Sequence, residues 1–295
     1  MNKVLLIGGS GLLGSVLSNL FEDAFITYNS TQINRKNSFK LDISDSESLK
    51  FLLQKLEPNT IIVTAALTDV DRCETNPEMA RSINTAPLSI IISYLRERKG
   101  RLIQVSTDYV FSGEKGNYME DDGRNPINVY GKTKKDAEDL IYASNIDFTI
   151  VRTSGIFGTN ESTGKTNFFT WIYKNLKEGI NINLVTDQYY SPVLNIILAK
   201  AIHEIYDNGI NGTIHFSSID AVSRLDFGNM VADIFNFNRE LIHPVKMKDI
   251  PWIARRPNNS SLNNDKAFKY LKTKPMNVLR EINMIKELMN HERPA

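Results

Sequence analysis

Glycines at positions 8, 11 and 14 constrain this chain more than any other feature, because of what flanks them. Before them, Val4, Leu5, Leu6 and Ile7 form an unbroken apolar run, as in a strand buried on both faces. After them, Leu12, Leu13, Val16, Leu17, Leu20 and Phe21 recur at helical spacing. Strand, glycine turn and helix in that order predict the first βα unit of an open parallel sheet. Gly8 allows the turn, Gly11 lets a diphosphate approach the backbone, and Gly14 lets the helix pack close to the strand. Free N–H groups and the dipole at a helix N-terminus favour an anion there. Gly8, Ser10, Gly11, Leu12, Leu13 and Gly14 are therefore candidate contacts to a dinucleotide.

Residues 24–29, 39–43, 60–66, 101–106 and 147–152 read as further strands, with helical patterns at 46–56 and 77–98 between them. Pro87 predicts a kink or break in the second of these helices. The expected fold is α/β, a doubly wound parallel Rossmann sheet with a smaller, sequence-discontinuous C-terminal substrate domain. Residues 1–155 form the NAD(P)-binding domain in this reading, and 193–218 return to it. Residues 156–192 and 219–295 form the substrate-binding domain. Helices at 167–177, 195–206, 224–235 and 278–290 and a strand at 212–217 complete the expected elements.

The end of the second strand carries Asn29, with no carboxylate to hold the ribose hydroxyls of NAD. Arg35 and Lys36 follow and would meet a 2′-phosphate, which tilts the expectation toward NADP(H) while leaving NAD(H) open. Asp42 and Ile43 lie where an adenine ring would be flanked. Ala65 and Ala66 are small enough for a cofactor to pass closely over them.

Tyr130 and Lys134 are four positions apart, so on a helix they share one face. A cation beside a phenol favours the phenolate and lowers its pKa from the usual value of about 10. Thr107 ends the preceding strand and offers a hydroxyl to the same space. Together the three suit carbonyl reduction, in which Tyr130 protonates the oxygen as hydride reaches the carbon. Tyr130 and Lys134 also count as cofactor contacts.

A net charge of +1 gives no electrostatic case for nucleic acid or an anionic membrane. Cys73 is the single cysteine, which rules out an internal disulfide and speaks against a cysteine-based metal site. The acids in residues 68–77 lack the glycine and the terminal glutamate of a calcium loop, so no metal is expected. No apolar run reaches the roughly 18–20 residues of a membrane span. A cytoplasmic location is the expectation, and a homodimer is compatible with the chain.

These stretches resemble an extended short-chain dehydrogenase/reductase and, within that superfamily, the dTDP-4-dehydrorhamnose reductase family. The likeness spans nearly the whole chain and is carried by the glycine loop and by residues 68–77, 106–111, 130–134, 152–154, 186–188 and 256–262. It implies reduction of the 4-keto group of a nucleotide-linked 6-deoxy-4-hexulose, with a nucleotide-sugar substrate and NADP(H) or NAD(H). It implies Thr107, Tyr130 and Lys134 as the catalytic set. It implies substrate contacts from Thr68, Asp108, Tyr109, Val110, Gln188 and Arg256, with Arg256 as the diphosphate partner or else half of an inter-domain salt bridge. Gly155 stands where the family often has Trp, Tyr190 where it usually has Gly, and Pro192-Val193 where it has Pro-Thr. Two alternatives share the fold: a cofactor-binding regulatory subunit like that of methionine adenosyltransferase, and another sugar-nucleotide reductase or epimerase. A dehydratase would need a carboxylate pair beside Thr107, but Asp108 is followed by Tyr109.

Overall fold

The computed structural model describes residues 3–159 and 166–291. The first part of the chain runs β1 (Val4–Ile7), α1 (Leu12–Leu20), β2 (Phe25–Tyr28), β3 (Ser38–Lys40), α2 (Ser46–Leu56) and β4 (Thr60–Val63). It continues through α3 (Val70–Thr75), α4 (Pro77–Asn84), α5 (Ala86–Arg98), β5 (Arg101–Thr107), α6 (Val129–Tyr142) and β6 (Asp147–Thr153). The later part runs β7 (Ile156–Phe157), α7 (Phe168–Lys177), β8 (Ile182–Val185), β9 (Tyr189–Tyr190), β10 (Val193–Leu194) and α8 (Asn195–Asp207). Then come β11 (Gly212–His215), β12 (Val222–Ser223), α9 (Arg224–Phe235), β13 (Ile242–Val245), α10 (Asp265–Tyr270) and α11 (Val278–His291).

Seven strands form one parallel sheet in the order β3-β2-β1-β4-β5-β6-β11. Because side chains alternate along a strand, β1 feeds two cores. Val4 and Leu6 pack with Leu13 and Leu17 of α1 and with the apolar face of α8. Leu5 and Ile7 pack with Leu49 and Leu53 of α2, Ile91 and Leu95 of α5, and Ile141 of α6. Fully burying each such side chain contributes about 1.5–3 kcal/mol. The strand order reverses at β1 and β4, so the crevice for a ligand opens beyond their C-terminal ends. β5 and β6 run in register to their last pair, Thr107 opposite Thr153, and both deliver side chains to that edge.

Beyond β6 the chain adds three two-stranded sheets and returns β11 to the main sheet. β8 pairs with β13 in parallel, and β9 pairs with β12 antiparallel, setting Tyr190 opposite Val222. Phe157, Phe168, Phe169 and Phe227 make the aromatic centre between α7 and α9. Residues 253–264 fold back over the loop after β5: Asn259 N–H donates to Gly113 C=O, and Asn263 N–H to Tyr118 C=O.

Several expected elements differ in extent; the strand expected over 60–66 is Thr60–Val63. The third strand is Ser38–Lys40, because the Asp42 carboxylate accepts from Ser44 N–H and Oγ and turns the chain. The helix expected over 77–98 is two helices that meet at Thr85, whose φ of −122° is not helical, with Pro87 in the first turn of α5. The strand expected over 212–217 stops at His215; Ser217 N–H donates instead to Asn264 Oδ1.

Candidate active site

α6 is fixed at its start by two side chains. Asn128 Oδ1 accepts from Gly131 N–H at 2.9 Å, and Glu74 Oε2 accepts from Val129 N–H at 2.9 Å. Asn128 Nδ2 also donates to Arg255 C=O at 2.9 Å, tying the helix to the far loop. Gly131 faces the turn after β5 so closely that an added Cβ would lie 2.1 Å from Tyr109 C=O. Glycine at this position lets Tyr130 lie beside the end of β5. Farther along, Glu138 accepts from Ser106 Oγ at 2.6 Å and pairs with Arg152 of β6 at 2.8 Å and Arg124 at 3.1 Å. Arg152 and Glu138 are both buried, so this pairing locks α6 to two strands.

Thr107, Tyr130 and Lys134 line one cavity of about 480 Å³. Thr107 Oγ1 donates to Asp108 Oδ1 at 3.0 Å and accepts from Tyr109 N–H at 3.2 Å. The Tyr109 and Tyr130 rings meet edge to face, 5.8 Å between centroids. Lys134 Nζ donates to Val105 C=O at 2.8 Å. The expectation that Lys134 depresses the Tyr130 pKa is corrected here. Enclosure by protein pushes the phenol above its usual value, and the Thr107 hydroxyl offsets this only in part. Lys134 is itself pulled down to about 8 by burial, against the opposing charge of Glu138.

Among the expected substrate contacts, Thr68, Asp108 and Tyr109 line the cavity. Asp108 is buried and accepts from Ser154 Oγ at 2.7 Å and Ser260 Oγ at 2.5 Å. Burial raises its pKa while these hydroxyls and Arg224 oppose the rise. Gln188 stands behind the wall, donating from Nε2 to Tyr109 Oη at 3.2 Å. Val110 does not face the cavity; it is buried in a cluster with Phe111, Tyr118 and Leu262, because the single 3-10 turn Asp108–Val110 rotates it inward. Arg256 also stays off the cavity lining. It pairs with Asp71 of α3 at 3.0 Å and lies over the Trp252 ring. Despite partial burial, the Ala254 and Ile253 N–H groups and the Arg256 charge hold the Asp71 carboxyl below the usual carboxylate range.

On the cofactor side, Gly11, Leu12, Leu13 and Gly14 line the same cavity, as does Ala66. Gly8 has φ +98°, and an added Cβ there would strike Ala65 N at 2.6 Å. Gly11 caps α1 with no side chain bonding to its first N–H groups, and no acid stands in its first turn. That leaves an open, positive helix end which fits a dinucleotide diphosphate. Ser10 is buried beside the turn. Asn29 is exposed past the end of β2, Asp42 is exposed in its own turn, and the Ile43 side chain packs in the core with Leu49 and Leu52. These three and Ala65 stand outside the cavity lining. The case for NADP(H) from Arg35 weakens, since its guanidinium donates to Ser18 C=O and to Asn19 Oδ1 of α1. Lys36 is exposed.

Sequence reasoning missed Arg224 and Thr153, both on the cavity wall with Tyr190. Arg224 opens α9 and reads as an ordinary first-turn residue, so its side chain gives no local signal. Tyr190 and Gly155 are flagged in the sequence as departures, but their contact is not: a Cβ on Gly155 would lie 2.4 Å from Tyr190 Cε2.

A seven-stranded parallel sheet, an open glycine turn and a Thr-Tyr-Lys set on one cavity define an extended short-chain dehydrogenase/reductase. A family model described as "RmlD substrate binding domain" matches residues 1–289, and the chain belongs to that family. It is 33% identical over 262 residues to a probable low-salt glycan biosynthesis reductase of Haloferax volcanii, covering 86% of this chain and 87% of that one. Among solved structures it resembles a hypothetical dTDP-4-dehydrorhamnose reductase from Sulfolobus tokodaii (36% identity, TM-score 0.85, covering 95% of this chain and 99% of that one). It also resembles the dTDP-4-dehydrorhamnose reductase of Bacillus anthracis, solved in complex with NADP (26% identity, TM-score 0.86, covering 98% of this chain and all of that one, 100%).

Proposed function

We propose that the protein is an NAD(P)H-dependent oxidoreductase that reduces the 4-keto group of a nucleotide-linked 6-deoxy-4-hexulose, dTDP-4-dehydrorhamnose to dTDP-L-rhamnose. The observation that carries this reading is the meeting of Thr107, Tyr130 and Lys134 on one cavity with the glycine turn. A bound reduced nicotinamide supplies the hydride. The Thr107 hydroxyl orients the keto oxygen, its own geometry set by Asp108 and the Tyr109 N–H. The raised pKa keeps Tyr130 protonated across neutral pH, so the phenol gives its proton to the oxygen as charge develops there. Lys134, anchored on Val105 C=O, holds the ribose beside the phenol.

In this reading the sheet lobe binds the cofactor, and the lobe built from residues 156–192 and 219–295 covers the sugar nucleotide. A regulatory subunit is not favoured, because docking has no need for three convergent proton-handling groups. A cytoplasmic location accords with the single, buried Cys73 and with no described helix being long and apolar enough to cross a membrane.

The test is loss of NADPH or NADH absorbance in the presence of dTDP-4-dehydrorhamnose, with dTDP-L-rhamnose identified as product. Absence of turnover with either cofactor would refute the reading.

A further inference from the structure

The reductase reading needs a partner for the substrate's diphosphate, and the expected one is engaged elsewhere: both terminal nitrogens of Arg256 are held by Asp71. Among the described residues lining the cavity, the cations are Lys134 and Arg224. Lys134 is bonded to β5 on the cofactor side. Arg224 has no carboxylate within salt-bridge distance among the described residues. Its guanidinium lies 3.9 Å from the Tyr190 ring centroid and 4.7 Å from that of Phe168, and its Nε donates to Gln188 Oε1 at 3.3 Å. Rings and amide fix its plane and leave a charged fork on the cavity wall. Such a fork suits bidentate binding of phosphate oxygens.

Tyr190 is 3% exposed and lines the cavity; its hydroxyl lies against the Arg224 side chain but makes no hydrogen bond of full geometry. Thr153 Oγ1, on the same wall and 4% exposed, is unpartnered. Buried polar atoms left open in a native structure call for a ligand or a water. The Tyr190 ring occupies the space that a side chain at Gly155 would need, so the aromatic wall comes from β9 instead of the end of β6.

We propose that Arg224, set in plane by Tyr190 and Phe168, binds the diphosphate of the sugar nucleotide, with the Tyr190 hydroxyl as a second donor. The inference rests on the nucleotide-sugar reading and names the residues of that subsite in this chain. Its ligand chemistry is a nucleoside diphosphate. The dinucleotide also carries a diphosphate, so the test separates the two.

Binding of dTDP to protein saturated with NADPH is measured by calorimetry, alongside NADPH affinity. Arg224→Gln is expected to weaken dTDP roughly 10- to 100-fold, the loss of one charge-assisted contact. Tyr190→Phe, which keeps the stack, is expected to weaken it by a smaller factor. NADPH affinity should stay within about twofold for both, since the glycine turn holds that diphosphate. Unchanged dTDP affinity in Arg224→Gln overturns the proposal, as does an equal loss of NADPH affinity in a variant that melts like wild type. Should Arg224→Gln fail to fold, Arg224→Lys and Tyr190→Phe decide: unchanged dTDP affinity in both overturns it. Wild-type protein that binds dTDP but turns over no keto-sugar nucleotide refutes the reductase reading alone.

Discussion

At the scale of single residues, the proposed chemistry turns on a phenol held protonated and an amine pulled down toward neutrality by burial. Tyr130→Phe removes the proton donor and nothing that holds the cofactor diphosphate. Its turnover should fall roughly 10²- to 10⁴-fold, with NADPH affinity within a few-fold of wild type. Stopped-flow single turnovers and a binding titration would separate the two effects, and retained turnover would exclude Tyr130 as the acid. Lys134 loses its charge as pH rises through about 8, because burial disfavours the ammonium. The kcat/KM for NADPH should therefore decline above that pH; a flat profile would show the charge is not needed. The Tyr-x-x-x-Lys spacing and the strand-end threonine are visible in the sequence. The direction of the Tyr130 shift is not. It depends on how much protein surrounds the phenol and on Lys134 turning to Val105 C=O. The partner of Arg256 is hidden for the same reason, since Asp71 comes from α3, an element with no clear apolar period.

At the scale of elements, α6 acts as the ruler that sets the distance between phenol and threonine. Gly131→Ala would force its Cβ to 2.1 Å from Tyr109 C=O unless the helix retreats. We expect a loss of about 1–3 kcal/mol in stability from overpacking and a larger proportional loss in kcat than in cofactor affinity. Thermal melts together with steady-state kinetics would test this. α11 carries a different device. Glu281 Oε2 accepts from Leu194 N–H at 2.7 Å, and burial pushes the carboxyl up to about 8, with Asp220 adding to the rise. The folded state thus holds this proton between the unfolded value of about 4.3 and pH 8, so its contribution to stability falls as pH rises through that window. Glu281→Gln should raise the Tm more at pH 8 than near pH 5; equal shifts would show that the carboxyl is not buried in its neutral form. Continuous apolar strands such as β1 and β4 are legible in the sequence because both faces are covered. The two-residue strands β7, β9, β10 and β12 are not, since each exists only through a distant partner.

At the scale of the whole molecule, strand order places the glycine turn and the Thr-Tyr-Lys set on one edge of one sheet. Ligand that binds only the folded state stabilises it, so NADPH at about 100 times its Kd should add about 2.7 kcal/mol to stability. A thermal shift series would check this, and no shift at saturation would argue against a cofactor cradle at the glycine turn. The alternation of strands and helices makes the sheet readable from sequence, whereas the cavity wall at Tyr190 and Arg224 joins β9 to α9, which no local pattern brings together. The loop at 253–264 bears on biogenesis. Asp108, which orients Thr107, takes its strongest outside bond from Ser260, 152 positions downstream. While a ribosome is still short of that serine, the emerging polypeptide holds Thr107 and Asp108 but not the hydroxyl that clasps them, so the geometry proposed for catalysis closes late in synthesis.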